Sequence, residues 1–346
     1  MIRSLEDIKL ITELGNGACG KVYLARPKSN ENENFALKVV KKPSNPVDAN
    51  LLKNEIKIFQ NVKSPFLCEM QFCFETSEKV YFGLELMYGD LIDLIPMLNY
   101  IDEKNARFYL AETTLALEHL HKQNVLYRDL KPENILIAKD GHIKLTDFGL
   151  SEFNFTKNSK TTTLCGTLEF LAPEIIKGEP YGFEIDLWAL GVLAYGMLTG
   201  RRPFHGGTRN MTKFRIRNSV VEVPSHLSSG AQDLIKGLLK RNIEERLDIS
   251  GVKNSSFFDG VCWDKVLVKG LEPPYIPRER NFKASDPMDS PCKNSKGDYE
   301  RFIDLTDHDV KGDGSESEVE NKKATENEKP VCRRLGLMMS NLNINH

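Results

Sequence analysis

Residues 127–137 read YRDLKPENILI, and three of their side chains carry chemistry directly before an apolar run. Asp129 offers a carboxylate that could accept a proton from an attacking hydroxyl. Lys131 offers a cation for a transferring phosphoryl group, and Asn134 offers a carbonyl oxygen for a metal ion. The stretch is therefore either a polar surface turn or a catalytic loop, and the remaining sequence must decide between them.

A second carboxylate follows this stretch after a predicted hairpin. The strand-like runs ENILIA and HIKLTDF are separated by KDG, which is typical of a tight turn. The hairpin returns the chain to Asp147, whose hard oxygen ligands suit Mg²⁺. A surface turn would not need Asp, Lys and Asn at these spacings followed by a returning Asp, so we predict a catalytic loop.

A glycine-rich turn, LGNGACGKV, lies near the start of the chain between two predicted strands. Gly15, Gly17 and Gly20 would let backbone amides approach phosphate oxygens without a Cβ clash. By itself this is a weak signal, because glycines in a hairpin are often only a turn. A strand and not a helix follows the turn, which excludes the dinucleotide-binding βαβ motif.

Two charged residues follow the glycine turn. Lys38 ends the strand pattern FALK, and Glu55 shares a helical stripe with Leu51 and Phe59, for which Asp48 is the predicted N-cap. A Lys38–Glu55 pair would present a fixed ammonium to the phosphates of a nucleotide. The sequence also allows a plainer interpretation, a solvent-facing strand lysine and a solvated helical carboxylate.

The predicted elements divide the chain into a small β-rich part, a larger helical part and a tail. We place these at residues 1–86, 87–258 and 259–346, an α+β architecture. FEIDLWALGVLAYGMLTG is apolar nearly all round, which predicts a buried helix. After about residue 285 the composition is polar and charged, and we expect the tail to be largely disordered or else wrapped on the surface.

Composition narrows the functional classes. The 346 residues are 40% hydrophobic and 28% charged with a net charge of −2, which gives no reason to expect nucleic acid as a partner. No apolar run approaches the about 20 residues of a membrane span, and the start does not resemble a signal peptide.

Seven scattered cysteines without CxxC pairs favour free thiols in the cytoplasm or nucleus. We expect a monomer.

The motifs GxGxxGxV, AxK, RDLKPEN, DFG and APE occur in this order and resemble the protein-kinase family over residues 1 to roughly 280. Tyr127 at the head of the loop, the segment LCGTLEFLAPE and the run EPPYIP resemble the AGC group, closest to its ribosomal-protein-kinase branch. The resemblance implies a bilobal kinase fold that binds ATP and Mg²⁺ between its lobes.

The resemblance also implies individual roles. Asp129 would be the base, and Lys38, Lys131, Asn134 and Thr167 would complete the catalytic set, with a preference for Ser or Thr acceptors. Asn134 and Asp147 would bind Mg²⁺. The implied ATP-binding residues are Leu14, Gly15, Asn16, Gly17, Ala18, Cys19, Gly20, Lys21, Val22, Ala36, Lys38, Glu55, Glu85 and Met87.

Three further residues match structural positions of the family. Glu174 and Arg246 are similar to a buried ion pair that anchors the substrate-binding segment, and Asp186 to a carboxylate that braces the catalytic loop.

Asp90 and Glu133 stand where related kinases recognise an arginine upstream of the acceptor, although either could be a plain surface carboxylate. Phe214 stands where a further acid is common, so a basic substrate is expected while a strict two-arginine preference stays open.

Thr163 matches the phosphothreonine position of the activation loop, with Arg128 as partner for the phosphate, and implies an upstream activating kinase. TTT could also be an ordinary polar loop. Leu51 stands where the family has a His, and Glu152 where it has Lys or Arg. We therefore expect that phosphorylation of Thr163 couples only weakly to the helix, or that the activation loop depends less on this phosphorylation.

The tail contains two aromatic residues, Tyr299 and Phe302, that could be a remnant of a motif docking on the small lobe. Chance aromatics explain them equally well.

The leading hypothesis is a Ser/Thr protein kinase of intracellular signalling that acts on protein substrates. The alternative is a pseudokinase, a nucleotide-binding scaffold; Lys38, Asp129 and Asp147, whose loss usually marks pseudokinases, are all present. A small-molecule kinase is disfavoured because GTLEFLAPE predicts a platform for a peptide.

Overall fold

The computed structural model describes residues 2, 4–17, 20–98, 100–278 and 301–303, without the side chains of 95–98 and 301–302. Within them a small lobe built on a β-sheet lies against a larger lobe built from helices. This is the α+β bilobal fold that the sequence predicts. Most of the tail for which disorder was expected lies outside the described residues.

The small-lobe sheet is antiparallel, and its strands follow the order β1-β2-β3-β5-β4-β9. Strands β1 to β5 come from the first part of the chain, and β9 comes from the tail. Their bounds are β1 Ile8–Gly17, β2 Gly20–Pro27, β3 Phe35–Lys41, β4 Met70–Glu75, β5 Lys79–Glu85 and β9 Arg301–Phe302.

The tail strand lies on the outer edge of β4. Phe302 pairs with Phe74, and the backbone N–H of Ile303 donates to the carbonyl of Cys73 at 3.0 Å. The tail therefore contacts the small lobe through its backbone. Tyr299, the other aromatic residue considered for this contact, lies outside the described residues.

Helix α1, Pro46–Asn61, packs its Phe59 ring 5.9 Å from that of Phe82 in β5, and its start corrects one sequence prediction. Its N-cap is Asn45 and not Asp48, since the Asn45 side chain accepts from the backbone N–H of Asp48 at 2.8 Å. Pro46 explains the earlier start, because its fixed φ suits the first helical position and its missing N–H would have no partner there.

The large lobe is mainly helical. Its longest helices, α3 and α5, lie in its centre, and α5 buries thirteen of its sixteen residues, which confirms the predicted buried helix. The helices are α2 Leu91–Leu98, α3 Glu103–Lys122, α4 Pro173–Lys177, α5 Glu184–Thr199, α6 Arg209–Asn218, α7 Ser229–Leu238, α8 Ile249–Lys253 and α9 Trp263–Leu267. Among the described residues no helix is both long and apolar enough to cross a membrane.

A second, three-stranded sheet lies at the junction of the lobes. It consists of β6 Gly89–Asp90, β7 Ile135–Ile137 and β8 Ile143–Leu145. Strands β7 and β8 are the hairpin predicted after the catalytic loop. One apolar cluster runs from the inner face of the small-lobe sheet through this junction to α3 and α5, so the lobes share a core.

Candidate active site

Lys38 reaches the space between the lobes because of the alternation of β3. Phe35, Leu37 and Val39 pack in an apolar cluster on one face of the sheet. Ala36 and Lys38 therefore point to the opposite face, where both line the interlobe cleft.

The Lys38 ammonium lies between two carboxylates. It donates to Glu55 at 2.7 Å and to Asp147 at 3.0 Å. The Lys38 and Glu55 side chains are only 3% and 1% exposed, which excludes the solvent-facing interpretation of both. The contact ties β3, α1 and the segment after β8 together at one point.

The catalytic loop is held by a carboxylate from the buried helix α5. Asp186 accepts the backbone N–H of Tyr127 at 3.1 Å and that of Arg128 at 2.9 Å. Arg128 has a φ of 70° and Asp147 a φ of 57°, in the left-handed region that non-glycine residues rarely adopt. The Asp186 contacts help to hold Arg128 in that conformation, which fixes the direction in which Asp129 leaves the backbone.

Asp129 accepts hydrogen bonds from three side chains. Lys131 donates to its Oδ2 at 2.6 Å, and Asn134 Nδ2 to the same oxygen at 3.1 Å. Thr167, from the segment before α4, donates to Oδ1 at 2.9 Å, and Lys131 also reaches the Thr167 hydroxyl at 3.1 Å. The four residues therefore form one connected group.

Burial affects the two carboxylates of the site differently. It raises the pKa of Asp129 above its ordinary value; the charge of Asp147 adds to this rise, while Lys131 and Thr167 oppose it. Burial also acts to raise the pKa of Asp147, but the adjacent Lys38 ammonium outweighs it and the pKa is lowered. Asp147 thus stays charged, as a metal ligand must, while Asp129 is more basic than a solvated carboxylate.

Asn134 and Asp147 fit a magnesium site by the chemistry of their oxygens. Asn134 Oδ1 is buried and, within the described part of the chain, accepts no hydrogen bond, so it has an acceptor position to offer. The backbone carbonyl of Asn134 accepts the N–H of Thr146 at 3.0 Å, which sets the amide beside the residue preceding Asp147. Hard oxygen donors of this kind suit Mg²⁺, which normally also keeps waters and substrate phosphates as ligands.

The cleft above this group contains half of the residues expected to bind ATP. These are Leu14, Gly15, Val22, Ala36, Lys38, Glu85 and Met87. Glu55 acts behind them through Lys38, whereas Asn16, Gly17, Gly20 and Lys21 lie in the glycine turn away from the cleft lining. Ala18 and Cys19 are outside the described residues.

Several lining residues were missed from the sequence: Cys68, Leu84, Gly89, Leu136 and Thr146. They come from five separate segments. Strand alternation could have indicated Leu84, which pairs with Ala36 in the sheet, and Leu136, at the centre of β7.

The glycine turn has a steric requirement at Gly20. Its φ is 122°, and a Cβ there would lie 2.2 Å from the carbonyl oxygen of Val39. Only glycine fits, so β2 can start directly against β3.

The two acids expected to recognise substrate also line the cleft. Asp90 is buried and caps α2 by accepting the N–H of Asp93 at 2.9 Å. Glu133 Oε2 is buried and accepts no hydrogen bond from any residue that the structure describes. Phe214, which stands where a further acid is common, is 52% exposed on α6.

Glu174 and Arg246 form a two-pronged ion pair below the site. The guanidinium donates to both carboxylate oxygens, at 2.7 and 3.1 Å, and the two side chains are 2% and 1% exposed. This pair joins α4, directly after the Thr167 segment, to the base of the large lobe.

Thr163 lies outside the cleft. It lines a second cavity, of about 340 Å³, together with Arg128, Glu152 and residues of α1. Arg128 is thus within the same cavity as the expected phosphosite.

Comparison with known proteins agrees with this geometry. A model of the protein kinase domain matches residues 8–258. Ribosomal protein S6 kinase beta of Caenorhabditis elegans is 40% identical over 311 residues, 84% of this chain and 56% of that relative. Human ribosomal protein S6 kinase alpha-6 is 39% identical over 302 residues, 82% of this chain and 40% of that relative.

A third relative is matched over more of its length. Serine/threonine-protein kinase Sgk1 of Gallus gallus is 37% identical over 313 residues, 87% of this chain and 72% of that protein. The chain spans about half or less of the two S6 kinases. The domain match and these identities establish that the chain belongs to the protein kinase family, in the AGC group of Ser/Thr kinases.

Proposed function

We propose that this chain transfers the γ-phosphate of ATP to Ser or Thr hydroxyls of protein substrates. The observation that carries the proposal is the connected group of Asp129, Lys131, Asn134 and Thr167 beside the Lys38–Asp147 contact. A scaffold that only bound nucleotide would not need the base, the lysine and the hydroxyl joined in this way.

Each residue of the group has one task. Asp129 accepts the proton of the acceptor hydroxyl, and its raised pKa makes it a better base than a solvated carboxylate. Lys131 keeps a positive charge next to the transferred group, and Thr167 fixes the second oxygen of the base. Lys38, held by Glu55, orients the phosphates of the nucleotide.

Asn134 and Asp147 would hold Mg²⁺, and Asn134 Oδ1 supports this assignment because no group in the described ranges donates to it. The ion supplies positive charge that offsets the negative charge developing on the phosphate oxygens. The nucleotide would lie between Leu14, Val22 and Ala36 above and Leu136 below. We keep the domain boundaries at residues 86 and 258, with the tail from 259.

We also propose a preference for substrates with a basic residue upstream of the acceptor. Glu133 Oε2 supports it, because no described residue donates to this oxygen and a guanidinium would satisfy the acceptor. Phe214 offers no charge. We therefore expect one strong arginine position and not two. Thr163 is the residue that an upstream kinase would phosphorylate.

The test is phosphate transfer from Mg·ATP to a panel of Ser/Thr peptides with arginine at varied upstream positions. Asp129→Asn removes the base while keeping the shape of the side chain, so kcat should fall by about 10²–10⁴-fold with ATP binding retained. Asp102→Asn, at the exposed N-cap of α3, is the control and should leave kcat unchanged.

Transfer by wild type but not by Asp129→Asn would support an active kinase. Loss of ATP binding in a folded Asp129→Asn protein would refute the role of this residue. Nucleotide binding with no transfer by any form of the protein would favour the pseudokinase scaffold.

A further inference from the structure

Arg128 already has an anionic partner. Its NH1 group lies 2.9 Å from Glu152 Oε2, and its Nε donates to the carbonyl of Leu150 at 2.6 Å. The Arg128 side chain is 3% exposed, and Glu152 is 36% exposed. A guanidinium removed from water to this degree needs a compensating anion, because burial of an unpaired charge is costly.

The backbone of Glu152 is also bonded to the segment that leads into the catalytic loop. Its N–H donates to the carbonyl of Leu126 at 2.9 Å, and its carbonyl accepts the N–H of Leu126 at 3.1 Å. This bridge lies two residues before Arg128 and three before Asp129. The Glu152 carboxylate therefore holds the side chain of Arg128, and Asp186 holds its backbone N–H. Arg128, which directly precedes Asp129, is thus constrained at its side chain and at its backbone.

The cavity around Thr163 is poorly suited to a phosphate. Its other lining residues are Arg128, Glu152, Cys165 and five uncharged residues of α1, among them Leu51. Among the described residues that line this cavity, Arg128 is the only cation, and its charge is already matched by Glu152. A phosphate, with a charge of about −1.5 to −2 at neutral pH, would meet a carboxylate beside that single cation.

The activation segment is nevertheless held by contacts that do not use the Thr163 side chain. Thr161 and Tyr181 exchange backbone hydrogen bonds at 3.0 and 2.9 Å, and the Tyr181 hydroxyl donates to the carbonyl of Thr163 at 2.6 Å. Leu51 of α1 packs with Leu150 and Cys165 in a small apolar cluster. The contact between α1 and this segment is thus apolar and requires no phosphate.

We propose that the Glu152 carboxylate is a positioning group that takes the place of a phosphate on Thr163. It holds the Arg128 side chain and, through Arg128, the catalytic loop. The kinase then turns over with Thr163 unmodified, and phosphorylation of Thr163 adds little. This inference rests on the proposed kinase function and assigns a role to a residue outside the cleft.

The test measures kcat and the KM for ATP with one Arg-containing Ser/Thr peptide. Wild type, Glu152→Gln, Glu152→Asp and Glu152→Lys are each prepared unmodified and with phosphothreonine incorporated at position 163, and Thr163→Ala completes the set. Glu179→Gln is the matched control, since Glu179 is an exposed carboxylate 3.7 Å from Lys177. Thermal melting and ATP binding verify that each variant is folded.

We expect wild type and Thr163→Ala to agree within about twofold. Glu152→Gln should lose about tenfold in kcat at unchanged KM for ATP, the loss of one hydrogen bond to a buried charge. Glu152→Asp should recover part of that loss. Glu152→Lys places two cations in the cavity, so phosphothreonine at 163 should raise its kcat about tenfold.

Two results would overturn the inference while leaving the kinase function intact. One is a wild type that transfers phosphate only with phosphothreonine at 163. The other is a folded Glu152→Gln protein with wild-type kcat in the unmodified state. Absence of transfer in every form, with ATP bound, would instead refute the proposed function. If Glu152→Gln does not fold, Glu152→Asp and the phosphate response of Glu152→Lys decide.

Discussion

Removal of the Arg246 guanidinium should be among the most destabilising single changes in the large lobe. Arg246 donates to both oxygens of Glu174, at 2.7 and 3.1 Å, and to the carbonyls of Glu184 and Lys240, each at 2.9 Å. It also stacks 5.2 Å from the ring of Trp188. Arg246→Ala leaves the Glu174 carboxylate, which is 2% exposed, without a counter-charge.

The expected loss is about 3–5 kcal/mol in the free energy of unfolding, the usual cost of removing one partner of a buried ion pair. Arg202→Ala is the matched control. Its guanidinium is 58% exposed and lies 3.2 Å from Glu169, so solvent screens the pair and the loss should stay below about 1 kcal/mol.

Urea unfolding followed by tryptophan fluorescence measures both losses, because Trp188 lies directly against the guanidinium. The double variant Glu174→Gln/Arg246→Met should lose less than the sum of its single variants, since it buries no uncompensated charge. If Arg246→Ala lowered the free energy of unfolding no more than Arg202→Ala does, the claim that this ion pair holds α4 to the rest of the large lobe would be refuted.

Two further predictions concern packing in α5 and the titration of the base. In Gly191→Ala the new Cβ would lie 2.7 Å from the Cβ of Leu238, so overpacking should destabilise the protein by about 1–3 kcal/mol, as measured by urea unfolding. In Gly196→Ala the nearest described atom to the new Cβ would be the Arg201 carbonyl oxygen at 3.8 Å, so this variant should stabilise the protein by up to about 1 kcal/mol. Equal changes in the free energy of unfolding for the two variants would contradict the packing argument. Asp129 stops accepting protons as the pH falls through its pKa, which is raised above the ordinary value of about 3.9. The acid limb of the pH profile of kcat/KM reports this pKa. Thr167→Val removes a hydrogen bond that stabilises the charged carboxylate, so the limb should move to higher pH, and no movement would show that Thr167 does not tune the base.

Much of the fold was readable because its signals are local. The alternation of β3 fixes which residues share a face, so Ala36 and Lys38 could be placed together from the sequence. The apolar run of α5 predicted its burial. The start of α1 was misplaced because Asn45 and Asp48 are both good caps, and the deciding factor was the preference of Pro46 for the first helical turn.

The sequence alone determined the kinase motifs, the order of strands and helices, and the residue types available at the site, since these depend on short spacings and side-chain chemistry. The tertiary structure decided which distant residues meet: Lys38 and Asp147 are 109 positions apart and bond at 3.0 Å. It likewise decided that Arg128 is paired with Glu152 and that the tail strand lies against β4. Such contacts depend on how helices and loops pack on the sheet, and packing is set by the shape of the whole core, which no local pattern encodes.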